Sequence, residues 1–240
     1  MKKTLLLIII VVSFGRLYAQ EGGVILGKVY AGAKIGYGTV NFKSNDPSAA
    51  DFAESTFRNL SYGIVAGYKI NAKISIQAEG LYSLYAANNI NYEYFYSPSN
   101  PLVAPDANSS VDHVDMELQY MDIPVIAKYH IGQGAIAPYA YVGVNWGINL
   151  KGYTTITRAT VDPVAGTLYN SYNDDVTDLI NYNDFAPIVG GGINMSLGDK
   201  ITIFGDLRFK YGVMNMSNVS NGLGFNNNSL WLSAGAYWNF

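Results

Sequence analysis

Stretches in which apolar residues alternate one for one with polar or small ones recur along this chain. Eight can be marked: 28–41, 60–70, 73–87, 115–131, 137–150, 183–197, 200–214 and 229–240. Period-two alternation is the signature of a strand with two unlike faces, so each stretch predicts a β-strand. In the first, Val29, Ala31, Ala33, Ile35 and Tyr37 share one face, while Gly32, Lys34, Gly36 and Gly38 share the other. In the seventh, Ile201, Ile203, Leu207, Phe209 and Tyr211 stand against Thr202, Asp206, Arg208 and Lys210. The last places Leu230, Leu232, Ala234, Ala236, Trp238 and Phe240 on one parity. The fourth is less regular, because Asp115, Glu117 and Gln119 share the parity of Ile123, Val125, Ala127 and Tyr129. That pattern calls either for a bulge near Tyr120 or for a start that protrudes beyond the apolar surroundings.

The connections alternate in length as well. Long ones fall at 42–59, 88–114, 151–182 and 215–228, and short ones at 71–72, 132–134 and 198–199. Short and long connections therefore collect at opposite ends of the strands, the rhythm of an up-and-down barrel with an even strand number. The predicted fold is all-β, an eight-stranded antiparallel up-and-down transmembrane β-barrel closed by pairing of the last strand with the first. Closure removes edge N–H and C=O groups that lipid cannot hydrate. A soluble barrel of lipocalin type would turn the apolar faces inward. The charges oppose that inversion: Lys34, Glu79, Asp184, Asp206 and Arg208 lie opposite the apolar stripes among glycines, which relieve crowding in an interior better than they serve a solvated surface.

Composition agrees with a membrane wall. Charged residues make up 14% of the chain, against about 25% in soluble domains. The 20 tyrosines and 25 glycines suit a barrel wrapped in aromatic belts. At the start, Lys2 and Lys3 precede an apolar run and then Ala19, which predicts a secretory signal peptide over residues 1–19 and a single barrel domain over 20–240. The run is too short to cross about 30 Å of hydrocarbon as a helix. Without residues 1–19 the formal charge is 12 − 18 = −6, which argues against nucleic-acid binding. There is no cysteine, hence no disulfide, thiolate metal site or lipoprotein anchor.

Several segments resemble the bacterial outer-membrane β-barrel family that includes PorT-like and OmpA/OmpX-like proteins, of the type common in Bacteroidetes. They are Gly32-Ala-Lys-Ile-Gly36, Gln77-Ala-Glu-Gly-Leu-Tyr82, Tyr120-Met-Asp-Ile-Pro-Val-Ile-Ala-Lys128, Pro138-Tyr-Ala-Tyr-Val-Gly143, Gly190-Gly-Gly192, Leu207-Arg-Phe-Lys-Tyr-Gly212 and the aromatic end. Asp122 stands where the family more often has Glu, and Phe209 where it often has Tyr. The resemblance implies a barrel in the outer membrane of a Gram-negative bacterium and carries no activity over, because the family is functionally mixed. One branch takes part in protein secretion.

Candidate chemistry concentrates on the predicted inner face. Glu79, Asp122, Asp184 and Asp206 face Lys34, Lys128, Arg208 and Lys210 across a lumen that eight strands make just wide enough for side chains to fill. An ionic plug is the expected arrangement, in preference to an aqueous pore. Tyr37, Tyr82, Trp146 and Tyr211 are expected at the outer membrane interface, with Tyr68, Tyr129 and Trp238 at the inner one. Terminal Phe240 resembles the signal read by the machinery that inserts barrels. His113, with Ser109, Ser110 and Asp112, is the weak candidate for a lipid-acting enzyme. The acidic run Asp174, Asp175 and Asp178 lacks the Gly and closing Glu of an EF-hand and reads as solvated loop. No metal, cofactor or catalytic residue is expected.

The long connections, rich in Tyr, Asn and Ser, read as ordinary exposed loop, with stacking on an external protein or glycan as the alternative. The leading functional expectation is a non-enzymatic outer-membrane barrel with an envelope-structural or loop-mediated binding role. Its expected partners are outer-membrane lipid, lipopolysaccharide and the insertion machinery, and a monomer is expected. A small transport conduit or secretion-accessory barrel is the second reading, and a lipid-modifying enzyme the third.

Overall fold

The computed structural model describes residues 29–44, 54–96, 99–104, 108–132, 134–219 and 224–240. The expected signal peptide lies outside them. Nine strands are formed: β1 (Val29–Ser44), β2 (Glu54–Lys69), β3 (Ile74–Asn88), β4 (Ser109–His130), β5 (Ile136–Asp162), β6 (Gly166–Asp175), β7 (Asn183–Leu197), β8 (Ile201–Tyr211) and β9 (Phe225–Asn239). Every pairing is antiparallel, and β9 pairs with β1 from Tyr30↔Asn239 to Ser44↔Phe225. Because β4 also pairs with β5, the ring β1-β2-β3-β4-β5-β7-β8-β9 is closed and has eight members. The ninth strand, β6, pairs only with Tyr153–Asp162 of β5 and stands outside the ring.

Facing follows the pleat. Ile35, Tyr37, Ile64, Val142, Val144, Leu207 and Leu232 are exposed on the outside of the wall, whereas Lys34, Gln77, Glu79, Asp206 and Arg208 are buried inside. The short turns are local. Asn71 Oδ1 accepts from the backbone N–H groups of Lys73 and Ile74, both at 2.8 Å, and Gly198 supplies a positive φ of 71° between β7 and β8. In outer-membrane barrels such turns face the periplasm, which sets the opposite end outward.

The interior holds large rings that the wall must accommodate. A Cβ on Gly67 would lie 2.2 Å from the Tyr30 ring, and one on Gly190 would lie 2.4 Å from the Tyr141 ring. Glycine in the wall therefore makes room for tyrosine in the lumen.

Two sequence expectations need correction. First, of the two readings of the irregular fourth segment the protruding start holds and the bulge near Tyr120 does not lie in this strand: Val114, Met116, Leu118, Tyr120, Asp122, Ile126 and Lys128 are all buried on one parity, and the extra residue of β4 is Asp112, ahead of the segment. Near Tyr120 the extra residue sits across the ladder in β5. Gln119 pairs with Lys151 and Tyr120 with Asn149, leaving Leu150 unpaired and exposed. Beyond that bulge the inward parity of β5 switches, from Tyr139, Tyr141, Asn145 and Asn149 to Thr154, Ile156 and Arg158.

Second, the long connections are not simple loops. The span 151–182 contains the distal half of β5 and all of β6, while β4 begins at Ser109, six residues before the expected 115. With 22 residues in β4 and 27 in β5, against the roughly 9–11 needed to cross a bilayer, both strands run well past the apolar band.

Candidate functional site: the filled lumen and its outer cap

The eight ionisable residues expected in the lumen all lie buried in the barrel interior. They form two ionic groups. In one, Arg208 grips Glu79 with two parallel bonds, Nη1 to Oε2 at 2.9 Å and Nη2 to Oε1 at 2.6 Å. Lys34 Nζ donates to Asp206 at 2.9 Å and lies 3.7 Å from Glu79. Tyr141 ties the two pairs together, since its hydroxyl donates to Asp206 Oδ1 at 3.1 Å and accepts from Arg208 Nε at 3.2 Å. Gln77 adds an amide donor to Glu79 at 2.7 Å and accepts from Tyr30.

The second group lies toward the outer end. Lys210 Nζ is 2.8 Å from Asp184 Oδ2. Asp122 makes no ion pair among the described residues and accepts from neutral donors, the Tyr85 hydroxyl at 2.5 Å and the Asn145 amide at 2.7 Å, with Lys210 bordering the same cavity. Lys210 also reaches the Tyr85 hydroxyl at 3.3 Å, so one tyrosine links both carboxylates. Between the two groups remains a cavity of about 20 Å³, bordered by Lys34, Arg208, Lys210, Tyr85 and Asp122. That is room for about one water molecule, not an aqueous path.

Lys128 departs from simple pairing. It forms no ion pair among the described residues, and its ammonium stands 4.6 Å from the Tyr139 ring centroid and 5.4 Å from that of Phe204. An aromatic face is the environment that tolerates a buried cation without a carboxylate. Nothing in the sequence distinguished Lys128 from its paired neighbours.

Above the ionic groups the interior turns apolar. Val40, Phe42, Tyr85, Met116, Leu118, Tyr120, Phe225 and Trp231 from the strands pack with Ile90, Phe95 and Val103 from the β3–β4 connection and with Val176, Ile180 and Met216. This cluster closes the outer mouth. A 3-10 turn at Tyr92–Tyr94, capped by Asn91, carries the β3–β4 connection inward, and the Ile180↔Ser217 bridge ties the β6–β7 connection to the β8–β9 connection.

Arg158 clasps the cap to the protruding hairpin: its guanidinium donates to Ser109 Oγ and to the carbonyl oxygens of Pro101, Leu102 and Ala104 at 2.9–3.2 Å. Sequence reasoning missed Arg158 because it lay in a segment read as loop. The inward parity after the Leu150 bulge was the one signal that could have found it.

Outside the cap, the remaining candidates do not assemble. His113 Nδ1 contacts Asp112 at 2.8 Å, but Ser109 Oγ is engaged by Arg158. Four residues of extended strand separate Ser109 from His113 by about 13 Å, far beyond hydrogen-bond reach. Asp174 accepts from the Tyr96 hydroxyl at 2.8 Å, and Asp175 from the backbone and hydroxyl of Thr177. No group of three metal-binding side chains occurs among the described residues.

On the outer wall, Tyr37, Tyr129, Trp146, Tyr211 and Trp238 are exposed and Tyr68 and Tyr82 partly so. Tyr62 lies tilted against Tyr82 at 5.4 Å between ring centroids, and Phe185 lies flat against Trp146 at 6.0 Å. Phe240 is exposed at the periplasmic end, where its N–H donates to Val29 O.

Solved structures of outer-membrane proteins align with this chain at low identity. The outer membrane protein OprG from Pseudomonas aeruginosa aligns over 90% of this chain and 96% of its own, with 9% identity and a TM-score of 0.54. Neisserial surface protein A aligns over 88% and 97%, with 16% identity and a TM-score of 0.44. The outer membrane protease OmpT from Escherichia coli aligns over 91% and 99%, with 9% identity and a TM-score of 0.36. A search of curated proteins gave no match. The family model described as outer membrane protein beta-barrel domain matches residues 18–218, so with its closed ring and lipid-facing wall this chain belongs to the outer-membrane β-barrel family.

Proposed function

We propose that the protein is a non-conducting, non-enzymatic barrel that anchors an ordered outer structure in the membrane and offers it to an external partner. The observation that carries this reading is the combination of a filled lumen with an ordered cap. Charges that could have lined a pore are spent on each other, and residues that could have been loose loop are folded into the cap and the β5–β6 hairpin.

The aromatic rings serve as anchors toward phospholipid on one side and lipopolysaccharide on the other, and Phe240 serves as the handle for insertion. The filled interior favours this reading over a conduit or secretion accessory of the PorT-like kind, since the cavity between the ionic groups holds about one water.

Planar-bilayer recording tests the first half: the purified protein should add no channel steps, and steady conductance would sink it. For the second half, the distal hairpin, residues 160–168, is replaced by a tight turn that joins Ala159 to its cross-strand partner Tyr169, and cells carrying the protein are scored for attachment to neighbouring cells and to surfaces. Attachment should fall to that of cells lacking the protein while the barrel still migrates as a folded species in unheated gels.

A further inference from the structure

The β5–β6 hairpin ends in an open sheet edge. Among the described residues, strand β6 is hydrogen-bonded to β5 on one side only, and its ten residues are solvent-exposed or nearly so. Folded proteins guard such edges with lysines, prolines, bulges or covering segments. Here the run Gly166–Asn173 has no charge, no proline and no bulge against β5.

Both faces of the edge are sticky. Tyr169 is 63% exposed on one face, Leu168 and Tyr172 are each 46% exposed on the other, and Val164 at the tip is 97% exposed. Charge is confined to the ends: Asp162 beside the tip, and Asp174, Asp175 and Asp178 at the base, where Lys151 is the exposed base nearby.

We infer that the free edge of β6 takes up an extended segment of another protein as an added strand, and that this segment carries lysine or arginine at its ends. This rests on the binding reading above and names its partner. Added-strand recognition draws its affinity from main-chain hydrogen bonds and its selectivity from alternate side chains. Cationic ends would meet Asp162 on one side and the Asp174–Asp178 cluster on the other.

A second copy of this chain fits poorly. Two barrels in one membrane are related by rotation about its normal, which would set two β6 strands parallel and bring Asp174 and Asp175 of each against their own counterparts. Like charges placed side by side across a sheet are destabilising.

The test uses the full-length protein in detergent micelles and labelled ten-residue peptides of alternating Thr and Val. One peptide has two lysines at each end, a second has two glutamates at each end, and a third is the lysine peptide with alternate amides N-methylated. Anisotropy should show the lysine peptide binding at least about tenfold more tightly than either of the others, and Ser171→Lys on β6 should weaken it by a similar factor. Equal binding of the lysine and glutamate peptides, undiminished binding of the N-methylated one, or no binding of any would overturn the inference.

Near-UV spectra identical to the parent would show that Ser171→Lys leaves the fold intact. If the peptides fail while cell attachment still depends on the hairpin, the edge inference falls and the binding reading stands. Hairpin-independent attachment defeats the binding reading itself.

Discussion

Arg208 and Lys128 separate two ways of carrying a cation in the same lumen. Arg208→Ala would strand Glu79 without its bidentate partner, and breaking a buried pair in this way commonly costs about 3–5 kcal/mol. A marked drop in the thermal unfolding midpoint in detergent is expected, and an unchanged midpoint would count against the plug. Replacing both partners, Glu79→Leu with Arg208→Met, should recover much of the loss, because neither member of that pair is then left buried without the other. Lys128→Met removes aromatic-face contacts and no ion pair among the described residues, so its midpoint should shift less than that of Arg208→Ala.

Tyr96 lies in the cap, outside the membrane-spanning wall, where burial pushes its phenol pKa up, with the Asp174 bond acting the same way and the Thr154 hydroxyl opposing them. The folded state thus favours the neutral phenol, and this contribution is fully present below the ordinary phenol value of about 10 and lost as the pH rises beyond it. The cap should loosen in strong alkali, seen as faster hydrogen exchange at residues 90–104, and Tyr96→Phe should remove that alkaline step.

For the elements, the bulge at Leu150 is the decisive detail. One unpaired residue exchanges the two faces of everything distal to it, turning Ile156 and Arg158 toward the cap. Deleting Leu150 should send Arg158 outward and free the 99–104 connection. Limited proteolysis would then cut that connection in the variant and spare it in the parent, whereas equal resistance would show that the clasp matters little. Alternation in the sequence predicted the ring strands well, because each crossing strand has one face in lipid and one in a crowded interior. It failed beyond the membrane, where both faces of a hairpin meet water and the pattern has no reason to persist. For the same reason a cut across the β3–β4 connection, residues 88–113, would be a poor test of binding: it removes part of β4 and the anchors of Arg158. The distal hairpin, 160–168, is the cleaner deletion, because its ends Ala159 and Tyr169 are already paired and both Arg158 and Asp174 are kept.

At the scale of the whole molecule, the sequence by itself determined the closed ring, the compartment and the inner set of charges. Those are consequences of transfer between lipid and a polar interior, a cost every residue of the wall meets locally and so records in its parity. Only the tertiary structure decided how the charges pair: Glu79 and Arg208 are 129 positions apart, and no spacing along the chain encodes which base meets which acid. It also decided that the outer mouth is shut and that one edge is left open. The cap draws single apolar residues from separate connections, none of them periodic, and their burial depends on the strands that bring them together. The free edge of β6 has a similar origin, since a strand is an edge only through the absence of a neighbour, and neighbours are settled by the ring.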